Sequence, residues 1–296
     1  MIDLHMHTTY SDGTDNLTEL LKKASLKKLE VISITDHNRC KAYEEMDNSD
    51  VLRYYDGKVI VGCEFTCPFE SRLIEVLGYG FDYKVVGDYL NEFYNFSTMN
   101  KNTNILYNRL IDKLRELGFR TSFSNVVDKE FKNEFFEMEI YMDLLKYPEN
   151  FNIIDENIFD TFSDFYRRGL TNPKSKLFIN HIEFKLSLKD VVDLVHDNGG
   201  KVFFAHPYQY KYNDTLDFIE RMYDQYDLDG IECFYTTFNE KQTNNLLEFA
   251  KRRNLLVSGG SDYHGLNKNG YELGTGFGNL CINKSILDNW DINFKN

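Results

Sequence analysis

Two histidines one residue apart stand almost at the start of the chain, in IDLHMHTTYSDG, residues Ile2 to Gly13. Alternate residues of a strand point to the same side, so His5 and His7 can face one cavity and share one metal ion. Neutral imidazole and carboxylate are suitable ligands for Zn, Mn or Fe. Asp12 follows five residues after His7, and the same side-chain types recur at Asp36-His37, Glu64, Glu75, His206, and Asp262 with His264. Five of the seven histidines belong to this series. A lone HxH is weak evidence for a metal. HxH, Asp12, TDH, a strand-end Glu, AHP and SDxH in order are far more specific. Buried histidines without such a role leave several polar groups in need of partners.

The elements that carry these residues read as strands. Ile2 to Met6, Val31 to Thr35, Lys58 to Phe65 and Arg72 to Tyr79 have strand character, with a helix over Asn16 to Leu29. From about Asp82 to Gly199 the pattern is mainly helical. Helices are expected over Asn104 to Leu117 (ended by Gly118), Phe135 to Lys146, Ile158 to Arg168 and Leu188 to His196. The strand–helix rhythm then returns: strands Lys201 to Ala205, Gly230 to Phe234 and Leu255 to Ser258, helices Thr215 to Tyr226 and Asn239 to Arg253. This is α/β architecture with about seven strands. A closed or nearly closed barrel of parallel strands is the economical arrangement, with polar residues gathered at the C-terminal strand ends. The domain organisation that follows is a barrel built from 1–81 and 200–296, interrupted by a helical insertion over 82–199.

Composition narrows the function. The net charge is −13, which argues against a general nucleic-acid backbone binder, while leaving room for one local phosphate pocket. With 42% apolar residues the chain can bury a sizeable core, and with 4 Pro and no low-complexity tract a long disordered region is not expected. Cys40, Cys63, Cys67, Cys233 and Cys281 form no disulfide framework and read as reduced thiols of a cytoplasmic protein. No signal peptide and no membrane span is expected.

The motifs resemble those of the PHP family, the polymerase and histidinol phosphatase domain. The matching stretches are His5-Met6-His7, Tyr10-Ser11-Asp12-Gly13, Thr35-Asp36-His37-Asn38, Gly62-Cys63-Glu64-Phe65, Leu77-Gly78-Tyr79, Ala205-His206-Pro207, Gly230-Ile231-Glu232 and Gly260-Ser261-Asp262-Tyr263-His264. They span nearly the whole chain and are most similar to stand-alone phosphoesterases with a helical insertion. The resemblance implies a distorted (β/α)7 barrel and two or three divalent metal ions (Mn, Fe or Zn). It also implies a ligand allocation: His5, His7, Glu64 and Asp262 for one ion, Glu64 bridging to a second held by Glu75 and His206, and Asp12, His37 and His264 for a third. Two departures stand out. Glu75 occupies the place where relatives carry His, and Phe136-Glu137-Met138-Glu139-Ile140-Tyr141 stands where many carry an Arg-Pro-His segment associated with the substrate phosphate.

The activity so implied is a metal-dependent phosphoesterase releasing phosphate from a small metabolite or nucleotide. A hydroxide between the ions attacks phosphorus, and Asp262 and His206 act in catalysis. Arg109, Arg167, Arg168 and Lys176 are cations available to the substrate, and Tyr208 is a candidate for the pocket rim; the tyrosines of 208–212 are equally well explained by packing. A nuclease-like phosphodiesterase, a hydrolase of another bond and a metal-bound domain without turnover are the alternatives. Simpler roles are assigned to His181 and His196 (ordinary surface or helix residues), Arg109 (alternatively solvated or ion-paired), Cys63 (packing on the opposite strand face) and the aromatics of 81–96 (core). Glu232 is read as a support for a metal ligand.

Overall fold

The computed structural model describes residues 1–131, 136–154 and 156–295. Along the chain run β1 (Ile2–Asp3), α1 (Leu17–Leu26), β2 (Val31–Ile34), α2 (Lys41–Asn48), β3 (Lys58–Phe69), β4 (Arg72–Tyr79), α3 (Tyr83–Phe93), α4 (Phe96–Leu117), α5 (Phe136–Leu144) and α6 (Phe162–Asp164). After these come α7 (Leu188–Asp197), β5 (Lys201–Phe204), α8 (Thr215–Gln225), β6 (Gly230–Tyr235), α9 (Glu240–Arg253) and β7 (Leu256–Gly260). The expected helices start where side chains cap them. Asn16 and Asn239 each close a capping box, with Glu19 and Gln242. Asn95 accepts from Thr98 N at 2.9 Å and starts α4 eight residues before the expected Asn104.

The seven strands make one sheet in chain order. β1, β2 and β3 are parallel, as are β5, β6 and β7. β4 is not: it runs antiparallel to β5, with Val76 opposite Phe204 and Tyr79 opposite Lys201. The all-parallel expectation therefore fails at one strand. The reason is the connection: Glu70 and Ser71 alone join β3 to β4, both with positive φ (48° and 61°). A two-residue turn of this kind reverses the chain, whereas a parallel neighbour needs a long crossover.

Beyond Asp3 the chain continues alongside β7 and closes the sheet. Leu4 N donates to Gly259 O (3.2 Å), Asp262 N to His5 O (2.8 Å) and His7 N to Tyr263 O (2.9 Å). A side chain at Gly260 would collide with the His5 backbone, so this close approach needs glycine. Asp3, fully buried, ties the same seam by accepting from Ser261 N (2.9 Å), Ser261 Oγ (2.6 Å) and Gly274 N (2.7 Å). Burial pushes its carboxyl above the usual range, against those hydrogen bonds. Leu4, Ile60, Leu77, Phe203 and Trp290 are among the apolar side chains packed within the sheet.

The chain divides into two compact units, Met1–Cys67, Ile74–Glu92 and Leu186–Asn296 forming one, Pro68–Leu73 and Phe93–Lys185 the other. Nearly all of α3 and the whole of α7, both inside the expected insertion, count with the first. The second has its own core, including Leu110, Leu114, Phe136, Ile140 and Phe165. Its helix expected over 158–168 is broken: a 3-10 turn Glu156–Phe159 is followed by α6, which leads into a π turn, Phe165–Leu170. Thr161 causes the restart, its side chain accepting from Asp164 N at 3.0 Å. Phe135, the first residue of another expected helix, lies outside the described residues. Of the aromatics of 81–96, Phe81 and Tyr83 are buried, but Phe93 and Phe96 are exposed rather than core.

Candidate metal centre

Six of the seven strands bring a candidate ligand to one end of the sheet. His5 and His7 lie on the extension of β1, His37 follows β2, Glu64 is on β3, Glu75 on β4, His206 follows β5, and Asp262 and His264 follow β7. Asp12 comes from the loop after β1. His5, His7, Glu64, His206, Asp262 and His264 are buried, and Asp12, His37 and Glu75 half-buried. His206 (φ 29°) and Asp262 (φ 55°) both adopt left-handed backbone conformations that side-chain-bearing residues seldom occupy. Such strain concentrates at functional sites, where it aims a side chain.

Most of the donor atoms converge without bonding one another; His206 and Glu64 are the pair that hydrogen-bond. His5 Nε2 and His7 Nε2 each stand 3.3 Å from both Glu64 Oε2 and Asp262 Oδ1. Yet His5 Nε2, His7 Nε2 and Asp262 Oδ1 have no hydrogen-bond partner. Two ligands about 2.0–2.1 Å from one tetrahedral ion are separated by about 3.3 Å, so these spacings fit a shared cation. A second group gathers His7, Asp12, His37 and His264, with His264 Nε2 3.2 Å and His37 Nε2 3.6 Å from the Asp12 oxygens. A third joins His37, Glu64 and Glu75. His206 Nε2 sits 2.8 Å from Glu64 Oε1 and 3.6 Å from Glu75 Oε2. Within each of the three groups the donor atoms lie within 4.8 Å of one another. Asp12 Oδ1, His37 Nδ1, His206 Nδ1 and His264 Nε2 are likewise buried and unpartnered. Six of these seven unpartnered buried atoms belong to residues of the three groups, and together they are costly unless something binds them.

Other residues fix the direction of these ligands. His5 Nδ1 lies 2.9 Å from Glu232 Oε1, and the other oxygen of Glu232 accepts from His206 N at 2.7 Å. One buried carboxylate thereby sets the tautomer of His5, leaving Nε2 to face the cluster, and anchors the strained backbone of His206. His264 Nδ1 is held by Asp262 O (2.8 Å). Asp36 accepts from Thr8 N (2.8 Å), Thr8 Oγ1 (2.7 Å) and Ser11 Oγ (2.6 Å), which shapes the loop from His7 to Asp12. Tyr235 donates its hydroxyl to Asp262 Oδ2 at 2.6 Å, and Lys268 pairs with the same oxygen.

The electrostatics are those of a cation-seeking site. Burial works against the charge of His5, but Glu64, Glu232 and Asp262 outweigh it and hold the imidazolium well above its usual range. Burial is outweighed in the same way at His37, where Asp12 and Glu64 push the pKa up to about 10. Glu64 is held well below the carboxylate range despite burial, chiefly by His5 and His37, and Asp262 by Lys268 and His5. His264 goes the other way, down to about 4, through burial and the neighbouring His7 and Lys268.

The remaining candidates have more ordinary surroundings. Arg109, in the second unit, pairs with Glu183 and donates to Asn180 O at 3.2 Å. Arg168 lies 3.8 Å from Asp164, one turn earlier. Tyr208 packs edge-on against Phe238, while Tyr210 stacks on Phe204 and binds Glu75 N through its hydroxyl (2.7 Å). His181 is buried with Nδ1 on Ile179 O (2.8 Å), and His196 ends α7 on Asp229 (2.8 Å). Cys63 is buried with its thiol on Asp36 O (3.3 Å), as expected of packing. Lys268 and Tyr235 were not singled out by sequence. Asp36 stood inside the TDH motif, but nothing in the spacing ties positions 235 and 268 to Asp262.

A sheet closed in this order, with histidines and carboxylates on or just beyond six strands, defines a class of metal-dependent hydrolase. The chain belongs to the PHP domain family, which matches residues 3–238. It is similar to the phosphoribosyl 1,2-cyclic phosphate 1,2-diphosphodiesterase of Eggerthella lenta, 24% identical over 89% of this chain and 94% of that protein. It is also similar to the 5′-3′ exoribonuclease Rnm of Escherichia coli K12, 22% identical over 88% of this chain and 84% of that protein. Among solved structures, an amidohydrolase of Chromobacterium violaceum shares the fold with a TM-score of 0.64 at 20% identity, over 92% of this chain and 89% of that one.

Proposed function

We propose that this chain hydrolyses a phosphoester of a small phosphorylated molecule at a centre of two or three divalent ions (Mn, Fe or Zn). The observation that carries the reading is the set of buried, unpartnered nitrogen and oxygen atoms spaced 3.3 Å apart around Glu64 and Asp262. His5, His7, Glu64 and Asp262 are the ligands of one ion. Asp12, His37 and His264 serve a second, and Glu64, Glu75 and His206 a third. Bound divalent ions supply water activated near neutral pH and offset the charge on phosphoryl oxygens. Asp262 orients the attacking water and takes its proton, its carboxylate held in place by Tyr235. Glu75 keeps an oxygen ligand where relatives have a nitrogen, which favours Mn or Fe over Zn. Cytoplasmic residence fits the five free thiols. No described helix is long and apolar enough to cross a membrane.

The test is phosphate release from a panel of phosphomonoesters, a cyclic phosphodiester, nucleotides and 5′-phosphorylated RNA. The protein is stripped of metal and refilled separately with Mn, Fe(II) and Zn. Turnover requires the metal, and Asp262→Asn lowers kcat by at least about 100-fold. Metal-dependent turnover of RNA alone replaces this reading with the exonuclease activity named for the E. coli relative. Stoichiometric metal with no release from any ester rejects both.

A further inference from the structure

A lysine stands beside the candidate metal centre. Lys268 follows the turn Gly265–Asn267 that leaves β7, and its ammonium meets Asp262 Oδ2 beside the Tyr235 hydroxyl. Asp262 is buried, and the Lys268 side chain that meets it is 35% exposed. Its loop is fastened to the Asp12 loop: Leu266 N donates to Thr14 Oγ1 (2.9 Å) and Asn267 Nδ2 to Asp12 O (2.7 Å). Among the described residues no other lysine or arginine pairs with Asp12, Glu64 or Asp262.

The balance of charge gives this lysine a second partner. Asp262 turns Oδ1 to His5 and His7 and Oδ2 to Lys268. With a cation held on the Oδ1 side, the carboxylate's charge would be shared, and the Lys268 ammonium would be available to an anion. A phosphate dianion is such an anion, and a charge-assisted hydrogen bond to its oxygen is stronger than a neutral one. The segment 136–141 supplies no cation of its own; its charged members are Glu137 and Glu139.

We propose that Lys268 is the phosphoryl-binding cation of this site, donating to a non-bridging oxygen of a phosphate dianion, with Tyr235 as a positioning residue that keeps Asp262 aligned. This rests on the phosphoesterase reading above. Inorganic phosphate is the probe. Its affinity for the Mn-loaded protein is measured by calorimetry for the natural chain, Lys268→Met and Lys268→Arg, together with metal content and steady-state kinetics. Lys268→Met keeps its metal and binds phosphate at least 10-fold more weakly, with KM raised more than kcat is lowered, and Lys268→Arg recovers part of the loss. Phosphate affinity within twofold of the natural chain in Lys268→Met overturns the proposal. So does a parallel loss of metal, which would make Lys268 only a counter-charge to Asp262, or an absence of phosphate binding by the natural chain. Phosphate binding that depends on Lys268 without turnover of any ester keeps the subsite and rejects the phosphoesterase reading. Ester turnover indifferent to Lys268 does the reverse.

Discussion

Glu232 shows how much of the centre depends on side chains that never face it. Its two oxygens serve two different groups, the Nδ1 of His5 and the backbone N–H of His206. A glutamine in its place has one acceptor oxygen and can satisfy only one of them. We expect Glu232→Gln to lower metal affinity about 10–100-fold, measured by competition with a chelator, with the far-ultraviolet circular dichroism unchanged. Affinity equal to that of the natural chain would remove Glu232 from the support of the centre. At this scale the sequence was legible where chemistry is written in a local pattern. HxH, TDH and SDxH keep their members within two residues of one another, so the pattern is visible in the sequence before the fold is known. Tyr235 reaches Asp262 through the pairing of β6 with β7, and Lys268 through the turn that follows Asp262; no local pattern records either.

Secondary-structure elements followed the same division between local and non-local causes. The helices flanking the sheet were readable because their apolar spacing and caps are local, as in α1 with Leu17, Leu20, Leu21 and Ala24 buried on one face. The direction of β4 was not, because Glu70-Ser71 lacks the Asn-Gly or Asp-Gly that usually marks a two-residue hairpin. In the second unit the segment between α4 and α5 is held by Asp143, a buried carboxylate that accepts from Ser122 N, Thr121 Oγ1 and Ser122 Oγ, each at 2.7 Å. Burial opposes its charge, but these bonds and Lys146 outweigh it and lower the pKa. A carboxylate depressed in the folded state stabilises fully above its unfolded pKa of about 3.9 and loses that contribution as the pH falls through the lowered folded value. Asp143→Ala leaves buried donors unpaired and should cost about 1–3 kcal/mol at pH 7. Denaturant titrations at pH 7 and pH 3 check both points: the gap between the variant and the natural chain narrows at the lower pH. A gap that stays constant would assign the loss to packing instead.

For the whole molecule, the distribution of the candidate ligands between the two units matters most. Every one of them belongs to the first unit, and they come from β1, β2, β3, β4, β5 and β7 or the segments just beyond them. Ions bound at this end would tie together strands distant in sequence, including the seam where residues 4–7 meet β7 and its extension. Asp12, Glu64, Glu75 and Asp262 bring four carboxylates into that end of a chain whose net charge is already −13. Without ions, the raised pKa values of His5, His7 and His37 leave protons as the balancing charge. Divalent ions bound only by the folded state add stability through mass action, about 4 kcal/mol when present at 1,000 times their dissociation constant. The second unit has a separate apolar core and carries none of the candidate ligands. Scanning calorimetry of the metal-free and Mn-loaded protein should then show metal raising the transition of the first unit and leaving that of the second in place. Limited proteolysis along the same ramp identifies which unit opens first. Asp262→Asn, with one ligand oxygen replaced by an amide, should show a smaller metal-induced shift. Equal shifts of both transitions would mean that the two units unfold as one cooperative body. No shift at saturating Mn, Fe(II) or Zn would mean that the spacing around Glu64 and Asp262 is not a metal site.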